Sequence, residues 1–197
     1  MKFIIILLFS LLFPACNGTK TELNENKKEA AKVEKTLKVA FGYKPRSFDP
    51  HRHTDSSTLA VTKQIYNNLF SLNDKGELIP ELVEKYETLP DNSIILTLKK
   101  GIFFQDGNEM KAEDVAASLK RNLNIPISKV LVESIKGLEV LDDYRLKIIQ
   151  NNAPTILLHN FAHSSIAIVK EVPANEEGIN IVGTGAYKGT SIECNVI

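Results

Sequence analysis

The chain has 197 residues, with 24 Lys and Arg against 24 Asp and Glu, so its formal net charge at pH 7 is zero. This balance argues against a nucleic-acid-binding protein, which neutralises phosphates with a clustered excess of basic residues. Hydrophobic residues make up 43% of the chain and charged residues 24%, as in proteins that fold around a core. Two cysteines, Cys16 and Cys194, are too few for a disulfide framework or a cysteine-based zinc site.

The beginning of the chain carries the pattern of an export signal. Lys2 supplies a positive charge, and residues 3–13 form an apolar run that only Ser10 interrupts. A helix of this length spans roughly 16 Å, about half of the ~30 Å hydrocarbon core of a bilayer, so it is too short to cross a membrane. We therefore predict a signal peptide over residues 1–15.

Cys16 follows Ala15 directly after this run, and a small residue before a cysteine at that place resembles the lipobox of bacterial lipoproteins. The resemblance implies cleavage before Cys16 and attachment of diacylglycerol to its sulfur. The alternative is ordinary secretory cleavage after Ala15, which would leave Cys16 as a spare thiol. Residues 17–35 are nearly all polar and cannot bury enough apolar surface to offset the entropy of ordering. We predict that residues 16–35 comprise the lipidated cysteine and a disordered tether.

The folded part is predicted to start near Thr36. Alternating apolar residues indicate a strand over residues 36–41, and the prolines of residues 44–51 indicate an extended loop. Residues 57–70 have apolar residues at spacings of three and four, which predicts a helix with Asp55 or Ser56 as its N-cap.

The later segments mix hairpins with helices. We predict strands at 86–89 and 94–98, a short strand at 103–104, a helix at 112–122, a hairpin of 138–141 with 144–149, a helix that opens at Pro154, and a strand at 166–169. This mixture indicates an α+β fold rather than a doubly wound parallel sheet.

Six short segments carry a family resemblance. They are Ser47-Phe48-Asp49-Pro50-His51 with Asp55-Ser56, Ile65 to Phe70, Gly76 to Leu82, Leu98 to Gly107, Ala112 to Val115 with Ser118 to Arg121, and Gly183 to Lys188. In this order they resemble the extracytoplasmic solute-binding proteins of family 5, the peptide- and nickel-binding components of ABC importers. Each segment alone is a weak signal, but the ordered set is specific.

The resemblance implies the N-terminal lobe of a two-lobed periplasmic binding protein of class II, peptide-binding type. It assigns residues 36–55 to the first strand and loop of domain one, residues 56–172 to a small α+β second domain, and residues 173–197 to a segment that returns to domain one. Family members are longer, and the residues after Lys188 no longer resemble them. We therefore expect a truncated chain that lacks the opposing lobe.

The resemblance also implies a function. The chain would capture a peptide and deliver it to the ABC permease, without enzymatic activity or a cofactor, in the cell envelope and attached to the membrane by its lipid. The implied ligand contacts are Ser47, Phe48, Asp49 and Pro50, although a role in packing the domain junction fits this loop equally well. A micromolar site corresponds to about −8.2 kcal/mol, so losing half of its contacts would leave millimolar affinity or weaker.

Two further functions stay open. The chain could be a surface lipoprotein that contacts host or envelope macromolecules. It could also serve metal import, since His51 and His53 lie two residues apart in a predicted extended loop. Two histidines without a third ligand make a weak metal site, so we predict none. The sequence contains no Gly-x-Ser-x-Gly motif of serine hydrolases, and Lys188-Gly189 reverses the Gly-Lys order that a phosphate-binding loop requires.

Overall fold

The structure is a computed structural model that describes residues 38–40, 43–174 and 180–191. The chain divides into two compact units, Met1–Val39 and Ala40–Ile197, and every described helix and strand belongs to the second. The predicted signal peptide, Cys16 and the tether lie outside the described residues. Of the predicted strand at 36–41, residues 38–40 are described and lie outside any strand, as no described neighbour pairs with them.

The first helix is shorter than predicted. A single 3₁₀ turn at Pro50–Arg52 leads to α1, Ser56–Ile65, and the Asp55 carboxylate caps α1 by accepting a hydrogen bond from the backbone N–H of Thr58 at 3.0 Å. The helix ends at Ile65 rather than Phe70. Tyr66 is extended, and the Leu69 carbonyl accepts hydrogen bonds from the chain that follows β2, so these residues cannot continue the helical ladder.

Two antiparallel hairpins follow α1. The first joins β1, Phe70–Leu72, to β2, Leu78–Pro80, through a turn in which Gly76 has a φ of 77°. The second consists of β3, Val83–Thr88, and β4, Ile94–Leu98. The strand expected at Phe103–Phe104 is only a bridge between Phe103 and Glu109, too short to form a ladder.

A four-stranded antiparallel sheet forms the centre of the unit. Its strands β5, Ile135–Asp142, and β6, Arg145–Gln150, complete the order β3-β4-β6-β5. Ile94, Leu96 and Leu98 of β4 are fully buried on one face, and Leu146 and Ile148 of β6 lie beside them. The alternation seen in the sequence therefore marks the face that the helices cover.

Helix α2, Ala112–Leu123, covers that face with Val115 and Leu119. Lys111 precedes it and has no side-chain acceptor, so Asp114 in the first turn accepts a hydrogen bond from the Lys111 backbone N–H at 2.8 Å. Two shorter helices pack nearby: α3, Pro126–Val132, which was not predicted, and α4, Pro154–Asn160, whose predicted start at Pro154 is confirmed.

The strand expected at residues 166–169 is absent from the described fold. Ser164–Ile166 form a 3₁₀ turn, and Val169 donates its backbone N–H to the hydroxyl of Ser118 at 3.0 Å instead of joining a ladder. A short pair comes next, β7 at Lys170–Glu171 with β8 at Ile181–Val182. None of the described helices is long and apolar enough to cross a bilayer.

Candidate functional site

A second, smaller core lies apart from the sheet and brings together three parts of the chain. It contains Ile65 and Tyr66 from the end of α1, Ala167 and Val169, and Ile181 of β8; we call it the small core. Phe48 packs against it as a partly buried residue. One of the four predicted ligand contacts is thereby placed at the meeting point of the N-terminal loop and the final described segment.

The Ser47–Pro50 segment is tied down by its own hydrogen bonds. The Ser47 hydroxyl accepts a hydrogen bond from the Asp49 backbone N–H at 2.7 Å, and the Asp49 carboxylate accepts one from the His51 backbone N–H at 3.0 Å. Pro50 is buried as the first residue of the 3₁₀ turn. The four predicted residues therefore lie together, with Phe48 turned towards the small core and Asp49 towards α2.

Asp49 forms a bidentate ion pair with Arg121 in the last turn of α2. The two terminal nitrogens of Arg121 lie 3.0 and 2.6 Å from the two carboxylate oxygens, and both side chains are about nine-tenths buried, at 13% and 14% exposure. Burial alone would raise the pKa of Asp49, but the hydrogen bonds and the charge of Arg121 outweigh it and hold that pKa below its usual value.

His51 is fully buried beside this ion pair. Its Nε2 lies 2.8 Å from the Ala167 carbonyl oxygen, which can only accept, so Nε2 carries the proton. Its Nδ1 then accepts a hydrogen bond from Arg121 at 2.8 Å. Burial lowers the pKa of His51 to about 4, and the neighbouring guanidinium acts in the same direction, so the imidazole is neutral at pH 7.

This arrangement bears on the predicted absence of a metal site. Both ring nitrogens of His51 have protein partners, so His51 would have to give up these bonds to bind nickel together with His53. Within the part of the chain that the structure describes, no three His, Cys, Asp or Glu side chains lie close enough together to hold a metal ion.

Gln105 joins the described residues 180–191, which we call the return segment, to α1. Its side-chain amide donates to the carbonyls of Ile65 at 2.9 Å and Tyr187 at 2.6 Å. Its backbone N–H donates to the Gly183 carbonyl at 2.9 Å, and the Gly185 N–H donates to the Ile65 carbonyl at 2.9 Å. Three of the six family segments thus meet at the end of α1.

Two glycines make this approach possible. A Cβ on Gly183 would overlap the Ile65 carbonyl oxygen, and one on Gly185 would lie 2.5 Å from the Ile65 carbonyl carbon and 2.7 Å from the Gln64 carbonyl oxygen. These contacts are with backbone atoms, which cannot move aside as the end of a flexible side chain can. The Gly-Thr-Gly spacing is therefore a requirement of packing against α1.

A cavity of about 160 Å³ opens between these elements. Its apolar lining includes Phe48, Tyr66, Ile181 and Val182. Gln105, Asp106 and Lys188 supply the polar part, and the Asp106 carboxylate is paired with Lys170 at 3.1 Å. Lys188 forms no ion pair with any described residue. Because Lys170 neutralises Asp106, Lys188 leaves a positive charge beside apolar walls, which suits binding of a small amphipathic group.

Sequence reasoning included Arg121 and Gln105 in the family pattern but gave neither a role. Their partners lie far along the chain, at Asp49 and in the return segment, and no local spacing indicates such pairs. The Gly-Thr-Gly triplet is the one local pattern in these segments that indicates the contact with α1, because two glycines so close together often mark an approach of two backbones.

The sequence and the fold were compared with known proteins. Residues 77–196 match the family model of bacterial extracellular solute-binding proteins, family 5 Middle. The expectation that the resemblance ends at Lys188 was therefore wrong, because the match continues to residue 196. The glutathione-binding protein GsiB of Escherichia coli O157:H7 is 32% identical over 164 residues, which cover 78% of this chain and 32% of GsiB. The chain thus spans about one third of the length of the curated relatives it matches.

Solved structures agree on the fold. NikA from Staphylococcus aureus, in complex with Ni(L-His)2, has a TM-score of 0.66 and 26% identity, over 76% of this chain and 31% of that chain. The unliganded open form of the periplasmic murein tripeptide-binding protein MppA has a TM-score of 0.67 and 20% identity, over 76% and 34%. The predicted α+β fold and the resemblance to two-lobed binding proteins are confirmed. The chain belongs to the family 5 extracellular solute-binding proteins.

Proposed function

We propose that the chain forms part of the peptide-capturing component of an ABC importer and helps to deliver a small peptide to the permease. The observation that carries this proposal is the convergence of Phe48, Tyr66 and Lys188 on one cavity in a chain of this family. Its apolar walls suit a side chain, and Lys188 suits a peptide carboxylate. The 32% identity to glutathione-binding proteins supports a peptide of about three residues as the ligand class.

The size of the cavity indicates a subsite rather than a complete site. A cavity of about 150 Å³ holds a ring the size of benzene, whereas complete ligand pockets measure roughly 300–1,000 Å³. The 160 Å³ cavity therefore accommodates one side chain of a peptide. We accordingly expect this chain alone to bind peptide only at millimolar concentrations.

Localisation is the second part of the proposal. We propose that the chain is exported, cleaved before Cys16 and attached to the membrane by diacylglycerol, with its folded part in the cell envelope outside the cytoplasm. Labelling of the expressed chain with a radioactive fatty acid is expected, and Cys16→Ser should abolish it. Labelling of the Cys16→Ser variant, or none of the original chain, would contradict the anchor.

Ligand binding is best tested by ¹⁵N–¹H correlation spectra of the full chain, because chemical shifts report millimolar binding. Glutathione and neutral tripeptides would be titrated, with Ni(L-His)2 as a second solute because the nickel-bound relative NikA is 26% identical. We expect the peptides to shift the amides of Phe48, Tyr66 and Gln105. Shifts with nickel–histidine alone would favour the metal importer, and shifts with neither solute across the millimolar range would contradict solute capture by this chain.

A further inference from the structure

Arg121 contacts two parts of the chain that enclose the predicted small domain. Its terminal nitrogens bind Asp49, which precedes that domain, and its Nε lies 2.9 Å from the carboxylate of Glu171, near the end of that domain. The same side chain also donates to His51 Nδ1. One guanidinium from α2 thus joins the incoming and outgoing segments.

We infer that Arg121 is a positioning residue, which holds the Ser47–Pro50 segment where Phe48 can line the cavity and so sets the affinity for solute. This inference rests on the proposed function. Phe48 is the neighbour of Asp49, so a movement of the Asp49 backbone away from α2 moves Phe48 as well. Arg121 itself does not line the cavity of Phe48 and is not offered as a ligand contact.

The two ion pairs of Arg121 differ in strength. The Asp49 pair is bidentate and largely withdrawn from water, the geometry in which Arg–carboxylate pairs are strongest. Glu171 is 66% exposed and makes a single contact, and exposed ion pairs of this kind contribute little. The positioning effect therefore belongs to Asp49, and Glu171 offers a matched control within the same network.

The positioning effect of Arg121 can be distinguished from an effect on the stability of the whole unit. Its contacts lie outside the main core, which consists of apolar side chains from the sheet and the helices that cover it. Loss of the guanidinium should free the Ser47–Pro50 segment while β4 and β6 keep their packing. A lysine at this position keeps the charge but cannot make the bidentate pair.

The experiment uses the full chain with Arg121→Met, Arg121→Lys and Glu171→Gln. Hydrogen exchange is measured at residues 47–52 and, for comparison, in β4 and β6. We expect exchange at residues 47–52 to be at least roughly tenfold faster in Arg121→Met, partly faster in Arg121→Lys and within about twofold in Glu171→Gln, because only Asp49 forms the withdrawn pair. Exchange in the sheet should stay within about twofold in all three.

The second readout is the Kd for glutathione, measured by chemical shift. We expect Arg121→Met to raise this Kd by at least about tenfold. The inference would be overturned if exchange at residues 47–52 or the Kd were unchanged in Arg121→Met. It would also be overturned if exchange in the sheet rose equally, or if Arg121→Lys exchanged at residues 47–52 as slowly as the original chain. If the original chain binds no peptide, the proposed function fails, while the exchange data still decide whether Arg121 holds the segment. Should Arg121→Met not fold, Asp49→Asn replaces it in the same measurements, because this change removes the withdrawn carboxylate and leaves Arg121 only the exposed Glu171.

Discussion

The four-stranded sheet and the junction around Asp49 are held together by different forces. In the sheet, alternate residues of β4 and β6 are buried against α2, and nearly all of the side chains involved are apolar. At the junction, the carboxylate of Asp49, the guanidinium of Arg121 and the imidazole of His51 are buried together, and Arg121 donates hydrogen bonds to the other two. Burial stabilises the sheet without regard to direction, whereas the junction depends on particular distances and angles.

This difference predicts how each region responds to change. A substitution in the sheet should alter the stability of the whole unit, because the main core is continuous. A substitution at the junction should act mainly on the placement of the N-terminal and return segments, because Arg121 binds Asp49 and His51 across 72 and 70 residues of chain. Three experiments test the contrast.

The largest effect is expected for Leu96→Ala in the central strand β4. Leu96 is completely buried, so the change removes apolar contacts and leaves a cavity, which should lower the free energy of unfolding by about 2–5 kcal/mol. Urea denaturation measures the loss. Thr97→Ala, one position along the same strand and on its other face, should change the stability by less than about 1 kcal/mol. Equal losses for the two variants would show that the two faces of β4 do not differ in burial.

Acidification should weaken the junction through His51. The pKa of this buried imidazole is about 4 in the folded chain against 6.5 in the unfolded chain, so the unfolded chain binds the proton first as the pH falls. The contribution of neutral His51 to the free energy of unfolding is therefore complete above about pH 6.5. It is lost progressively towards pH 4, by up to about 3 kcal/mol. The charged groups facing the ring are Arg121, Asp49 and Glu171. Arg121 and Asp49 keep their charges over this range, because the pKa of Arg121 is raised and that of Asp49 is lowered.

The check is the free energy of unfolding of the original chain and of His51→Gln, measured between pH 7 and pH 4.5. Glutamine has no proton to gain there, so its curve should fall less steeply. Parallel curves would mean that the titration of His51 does not contribute to the pH dependence.

A smaller effect is expected for Gly185→Ala in the return segment. The added methyl group would lie within 2.7 Å of the backbone at the end of α1, so the segment must move away, at a cost of about 1–3 kcal/mol. Hydrogen exchange of the amides of Gly185 and Tyr187, which donate to α1 carbonyls, should become faster. The exposed neighbour offers a control, Ala186→Ser, which should leave exchange unchanged. If both variants behave alike, the close approach does not constrain this position.

The sequence predicted the regions whose structure depends on neighbouring residues. Strand β4, helix α2 and the hairpin of β5 and β6 follow from local alternation or helical spacing. The helix predicted to reach Phe70 was wrong because Leu69 and Phe70 satisfy helical spacing, whereas their backbone bonds to the chain at β2 and just after it.

The junction could not be predicted in the same way. Asp49 and Arg121 are 72 residues apart, and each looks like an ordinary charged surface residue in its own segment. Both residues lie in segments that resemble the family, but only the fold shows that they are partners. The ligand role of Ser47, Phe48, Asp49 and Pro50 stays a prediction, which the titration experiment addresses.

The close contact of Gly183 and Gly185 with α1 has a consequence for how this region can change in length. An extra residue between the two glycines would shift one of them out of place and bring a side chain against the Ile65 carbonyl. An extra residue before the return segment leaves both glycines where they are. Insertions and deletions among related sequences should therefore collect ahead of Gly183, and the triplet itself should keep a constant length.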